Sequence, residues 1–107
     1  DESLGRVLET LERAGQLDNT VVVFTSDHGY FYGEHGLSVE RRLAYEETIR
    51  IPLLVRYPRA VPAGRTPAEL VLSIDLAPTL AQLLGIRPTE RVEGVPLPEL
   101  FGPRPTR

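Results

Sequence analysis

The amino-acid sequence predicts an α/β protein with a mostly parallel central sheet flanked by helices, and three features carry that expectation. Leu4, Val7, Leu8 and Leu11 fall at i, i+3, i+4 and i+7, which draws one apolar stripe along a helix. The run Val21-Val22-Val23-Phe24 has four apolar β-formers without alternation, the pattern of a parallel strand covered on both faces. Leu76, Leu80, Leu83 and Leu84 share the face of a second helix. Helix, buried strand and helix in succession give the α/β order.

Each element has local punctuation. Gly15 ends the first helix and Gly5 weakens it slightly, because glycine is a poor helix former. Asp18-Asn19-Thr20 makes the turn into the first strand. The segment 20–50 then holds this strand and a polar, glycine-containing loop running from Ser26 to Arg50. A loop of that length is seldom an idle connection, so it reads as the functional loop, with a short helix expected near 43–48. A second strand is expected over 51–57, with Pro52 at its beginning because proline cannot donate to a ladder. Pro58, Pro62, Gly64 and Pro67 mark a surface connection. The second helix is expected over 75–84, capped by Asp75 or Ser73, with Pro78 tolerated in its first turn and Gly85 as the stop. From 87 to 107, five prolines predict an irregular tail.

Composition narrows the chemistry. With 107 residues, 41% hydrophobic and 25% charged, the chain has room for one small domain and a modest core. Its 12 basic and 15 acidic residues are interspersed and sum to −3, so no electrostatic footprint for nucleic acid or an anionic membrane exists. Every basic residue is arginine, which removes amine nucleophiles and Schiff bases from the possible mechanisms. Cysteine is absent, which removes disulfides, thiolate metal sites and cysteine nucleophiles within these residues. No apolar stretch approaches membrane-spanning length. Asp1-Glu2-Ser3 lacks a signal-peptide pattern and reads as the interior of a domain.

Ser26-Asp27-His28-Gly29 stands where the first strand ends, and ligands of open α/β sheets gather outside the carboxyl ends of their strands. Asp27 offers hard oxygen and His28 imidazole nitrogen, so the pair suits part of a divalent-cation shell. An Asx-turn beside an ordinary loop histidine explains the same four residues. Arg41, in Glu40-Arg41-Arg42, is either an anion-binding fork or a solvated surface charge. His35 either orients the metal loop or bonds a backbone carbonyl. Three consecutive aromatics, Tyr30-Phe31-Tyr32, cannot all face one way, so at least one packs inward. Glu46 and Arg50, four apart, suit a helical ion pair.

Together these blocks resemble a known family. The segments 19–29, Gly33-Glu34-His35-Gly36-Leu37, Tyr45-Glu46-Glu47, Arg50-Ile51-Pro52-Leu53, 74–80 and Gly85-Ile86 follow one another as in the later part of type I sulfatases, members of the alkaline phosphatase superfamily. The resemblance implies an alkaline-phosphatase-like sandwich and a sulfuric ester hydrolase. In that family a formylglycine hydrate attacks the sulfate ester while a divalent metal, usually Ca2+, holds the sulfate oxygens. Asp27 and His28 match the second pair of metal ligands. The first carboxylate pair, and the nucleophile with its C/S-x-P-x-R signature, belong to an earlier part of the family that these residues do not include, so the chain is expected to be inactive alone. The family usually places Lys four residues before the tyrosine of its Tyr-Glu block. Here Arg41 occupies that place, after a loop one residue longer, which makes it the substrate-binding candidate for sulfate and a poor proton donor. A sulfated small molecule or glycan is the implied partner, and family members are often periplasmic, secreted or lysosomal. Two alternatives stand beside this: a phosphodiester or phosphonate monoester hydrolase of the same superfamily, and a non-catalytic domain that keeps the sheet.

Overall fold

The structure, a computed structural model, describes residues 2–97. Its helices are α1 (Glu2–Arg13), α2 (Glu46–Ile49) and α3 (Leu76–Leu83), and its strands are β1 (Val22–Thr25) and β2 (Leu53–Arg56). The chain divides into two compact units, one formed by Val22–Val55 and the other by the segments before and after it. None of the described helices is long and apolar enough to cross a membrane.

In the flanking unit, α1 forms where the apolar stripe predicts it. Glu2 lies in its first turn and Arg13 in its last, which matches the helix dipole at both ends. Gly15 takes a left-handed φ of 65°, so the Gln16 N–H can turn back to the Leu11 carbonyl at 2.9 Å and close the helix. The stripe itself is not covered: no residue of α1 is buried, and Val7 is 53% exposed. After α1 the Leu17–Asn19 turn is tied down by Arg56, whose guanidinium donates to the Leu17 carbonyl and to Asp18 Oδ1, each at 2.7 Å. The turn Ser73–Asp75 leads into α3, which Gly85 ends in the manner of Gly15, with Ile86 N–H bonded to the Ala81 carbonyl at 2.8 Å. Val61, Leu97, Pro78 and Thr79 are buried here. Thr79 Oγ1 donates to the Asp75 carbonyl and accepts the Leu97 N–H, so the irregular stretch after α3 is fastened by side-chain bonds rather than by a ladder. The part of the expected tail from 98 to 107 lies outside the described residues.

The Val22–Val55 unit holds the loop. β1 and β2 pair as a two-stranded sheet; β1 starts one residue later than the apolar run, and β2 starts two residues later and ends one residue earlier than the strand expected over 51–57. Among the described residues β1 is left open rather than covered on both faces. Val22 and Val23 are half-buried and Phe24 is 43% exposed, because two strands supply neither a second neighbour nor a closed face. Phe31, fully buried, and Thr48, at 3% exposure, form the centre of this unit. Phe31 is thus the aromatic of the Tyr30-Phe31-Tyr32 trio that packs inward, leaving Tyr30 at 38% and Tyr32 at 78% exposure.

Candidate functional site

The residues after β1 form a tight turn. Ser26 Oγ donates to the His28 carbonyl at 2.9 Å, and Asp27 Oδ1 accepts the His28 N–H at 3.0 Å. That backbone N–H is the main reason the Asp27 carboxyl is held below its ordinary range, with the Arg41 guanidinium nearby also favouring its charged form. The local turn uses Oδ1 alone. Oδ2 stands 3.4 Å from His28 Nε2.

Partners decide the state of the His28 ring. Nδ1 lies 2.9 Å from the Gly29 carbonyl, which only accepts, so Nδ1 carries the hydrogen. Nε2 lies 3.1 Å from Arg41 Nη1, which only donates, so Nε2 presents its lone pair. The contact with Asp27 Oδ2 competes for the same nitrogen. The shorter contact to an obligate donor decides, and it makes the carboxylate oxygen and the imidazole nitrogen adjacent acceptors, the nitrogen engaged here by Arg41. An imidazole whose other nitrogen donates to a backbone carbonyl is the arrangement that metal-ligating histidines adopt.

Arg41 closes the group. The same Nη1 donates to the Tyr30 hydroxyl at 3.1 Å, and the guanidinium lies 5.8 Å from the Tyr30 ring centroid. Tyr30 in turn meets the His28 ring edge-on at 5.1 Å between centroids. Arg42 behaves differently. Its guanidinium forks onto the Glu40 carboxylate, whose pKa is driven far down by that bond and by the backbone N–H groups of Arg41 and Arg42. The cluster Glu40-Arg41-Arg42 therefore resolves into one internal pair and one guanidinium directed at His28.

Backbone bonds bring the two ends of the loop together. Gly29 N–H donates to the Thr48 carbonyl and Phe31 N–H to the Glu40 carbonyl, both at 2.9 Å. A Cβ on Gly29 would stand 2.0 Å from the Glu47 carbonyl oxygen, so only glycine fits there. His35 bonds the Glu47 carboxylate through Nε2 at 3.0 Å, and not a backbone carbonyl. Its ring stacks against Tyr45 at 4.8 Å and meets Phe31 at 5.9 Å, and Phe31 meets Tyr45 at 5.4 Å. The Phe31–Tyr45 contact contributes roughly 0.5–1.5 kcal/mol beyond area burial. Glu34 accepts the Tyr32 N–H, which lowers its pKa. Glu46 and Arg50 do pair, but at 3.8 Å with both side chains exposed, so the pair adds little.

For a divalent cation the donor set is half-fitting. Asp27 and His28 supply oxygen and nitrogen of suitable type, yet among the described residues no group of three or more His, Cys, Asp or Glu side chains stands together. The pair thus fits a partial shell. Sequence reasoning named Asp27, His28 and Arg41 but missed Tyr30 as the group that holds Arg41, and missed the close approach at Gly29. The signal for Gly29 was its place directly after His28. Tyr30 carried no local signal, since its partner lies 11 residues on.

An α/β chain with polar side chains converging just past the end of a strand belongs to the broad class that binds ligands at the carboxyl ends of its strands. A family model described as Sulfatase matches residues 1–86, and the chain belongs to the sulfatase family. It is 44% identical over 97 residues to an N-acetylglucosamine-6-O-sulfatase of Bacteroides thetaiotaomicron, covering 91% of this chain and 17% of that protein. It is 40% identical over 85 residues to the human N-acetylglucosamine-6-sulfatase, covering 79% of this chain and 15% of that protein. Among solved structures, one in complex with its substrate D-glucosamine-2-N,6-O-disulfate superposes with a TM-score of 0.85 at 40% identity, over 99% of this chain and 22% of that one. A phosphonate monoester hydrolase of Agrobacterium radiobacter superposes with a TM-score of 0.85 at 30% identity, over 97% of this chain and 21% of that one.

Proposed function

We propose that this chain is part of the metal-and-sulfate site of a sulfate-ester hydrolase acting on a sulfated small molecule or glycan, with β1 and β2 belonging to a larger, mostly parallel sheet of an alkaline-phosphatase-like sandwich. The carrying observation is that Asp27 Oδ2, at 3.4 Å, and Arg41 Nη1, at 3.1 Å, both converge on His28 Nε2, and Arg41 would turn from that nitrogen to the sulfate when a cation takes its lone pair. Asp27 and His28 would hold part of the shell of a divalent cation, Ca2+ by family resemblance. Bound there, such an ion supplies positive charge to the oxygens of the transferred group. The Nδ1–H bond to the Gly29 carbonyl keeps the imidazole in the tautomer that ligation needs. Arg41 binds a sulfate oxygen through its fork and remains charged throughout, so it stabilises developing negative charge without donating a proton. The remaining ligands and the formylglycine nucleophile come, in this reading, from outside these 107 residues.

In the complete protein, Asp27→Ala is expected to lower aryl sulfate turnover by at least about 100-fold while thermal unfolding changes little, because the exposed carboxylate adds nothing to the core. Retained turnover in a folded variant overturns the assignment. A phosphonate or phosphodiester hydrolase is the second reading, favoured by the fold match at 30% identity to a phosphonate monoester hydrolase. Comparing kcat/KM for phenyl sulfate and a phenyl phosphonate monoester with one preparation separates the two, since the larger value names the reaction.

A further inference from the structure

We propose that His35 is a positioning residue for Arg41, acting through Phe31 and the Phe31–Glu40 backbone bond; the functional side of this inference rests on the reading of Arg41 as the anion-binding group. His35 touches none of Asp27, His28 or Arg41 in any bond of the site, yet three links lead from it to the guanidinium. Its ring stands at 88° to the buried Phe31 ring, and Tyr45 packs against both. Phe31 donates its N–H to the Glu40 carbonyl at 2.9 Å. Glu40 precedes Arg41 directly, and Tyr30, the residue before Phe31, receives the Arg41 Nη1 bond. Fixing Phe31 therefore fixes both the start of the Arg41 side chain and the hydroxyl it reaches.

The chemistry of position 35 is demanding. Among the described residues His35 is the one non-glycine residue with a positive φ, at 58°. Histidine enters that region more readily than most side chains. Its ring faces Phe31 and Tyr45, and its Nε2–H reaches Glu47 Oε1 at 3.0 Å, because a carboxylate can only accept. Glycine or asparagine would suit the backbone but bring no ring. Phenylalanine would bring a ring with no donor and a strained backbone. One residue type meets all three needs, and no other feature of the loop uses its imidazole.

The test is made on the complete protein with His35→Asn, which keeps a residue tolerant of positive φ and deletes the ring. Amide hydrogen exchange reads the mechanism without any assay of catalysis. Protection of the Phe31 N–H should fall at least about tenfold, while the Gly29 N–H, held by Thr48 on the other side of the loop, should keep its protection. Unchanged protection at Phe31, or equal loss at both amides, overturns the proposal. The kinetic arm is a double-mutant cycle with Arg41→Ala. His35→Asn alone should raise KM for an aryl sulfate about tenfold with kcat less affected, and should add less than about twofold once Arg41 is gone. Additive effects overturn the link to Arg41. Should His35→Asn fail to fold, Glu47→Ala removes only the Nε2 partner and must move the same two readouts in the same direction, or the proposal falls. A wild-type protein inactive on sulfate esters would defeat the functional reading, and the exchange arm would still decide the positioning role.

Discussion

Asp75 is the one charged residue buried among those described, at 7% exposure, and its carboxylate accepts the Val95 N–H through Oδ1 at 2.8 Å and the Leu72 N–H through Oδ2 at 2.9 Å. The Val95 bond is the larger cause, and the Leu72 bond the second, of a pKa held below the ordinary aspartate range against the opposing effect of burial. Because the folded pKa lies below the unfolded value of about 3.9, the carboxylate adds stability that is fully present above that value and is lost as pH falls through the folded pKa. Thermal unfolding followed from pH 7 down to pH 3 should therefore show a falling midpoint at the acid end. Asp75→Asn should unfold at a lower temperature at pH 7 and show a shallower acid decline; an unchanged acid limb would remove Asp75 as its source. The sequence placed this residue as a possible cap of α3, which reads only its neighbours. Its bond to Val95 crosses 20 residues, and nothing in helical spacing reports on a partner so distant. Asp27 and His28 were legible for the opposite reason, since they are contiguous and directly follow a strand.

Helix existence was readable in physical terms because an apolar stripe and a terminal glycine are both local. Gly15 and Gly85 stop their helices with φ values of 65° and 67°, as their positions implied. What covers a stripe is not local, and that is where the expectations for α1 and β1 outran the described residues: a face can be apolar by pattern and still stand half open. Gly5 offers an element-scale check. A Cβ built there meets nothing within 4 Å, and the position lies inside α1, so alanine should add helix propensity without a clash. Gly5→Ala is expected to stabilise the chain by about 0.5–1 kcal/mol in denaturant unfolding. A destabilising result would mean that something closely approaches this face of α1 in solution.

On the scale of the molecule, the chain covers 17% of one sulfatase relative and 15% of another, while the family model matches 86 of its residues from the first onward. The family was legible from the order of short blocks along the chain, because contiguous motifs can be read without knowing what packs against them. The two-stranded sheet does not by itself define the larger architecture. Ligand count sets the expected behaviour of the 107 residues in isolation. A calcium ion takes about six to eight oxygen-rich ligands, and this site offers one carboxylate and one imidazole. Calorimetry on the isolated chain should therefore give no micromolar calcium affinity, and a chromogenic aryl sulfate should not be turned over, since no cysteine or C/S-x-P-x-R signature is present. Turnover above a denatured control would relocate the active site within this chain.

The crossing of backbone at Gly29 also sets the terms on which the loop can diversify. The Glu47 carbonyl occupies the space a side chain at position 29 would need, whereas Tyr32, three residues on, is 78% exposed. A library randomised across this loop would lose nearly every variant at position 29 and retain many at position 32. Sequence variation in this loop would therefore be recruited at its exposed rim, around a backbone crossing that selection has little freedom to alter.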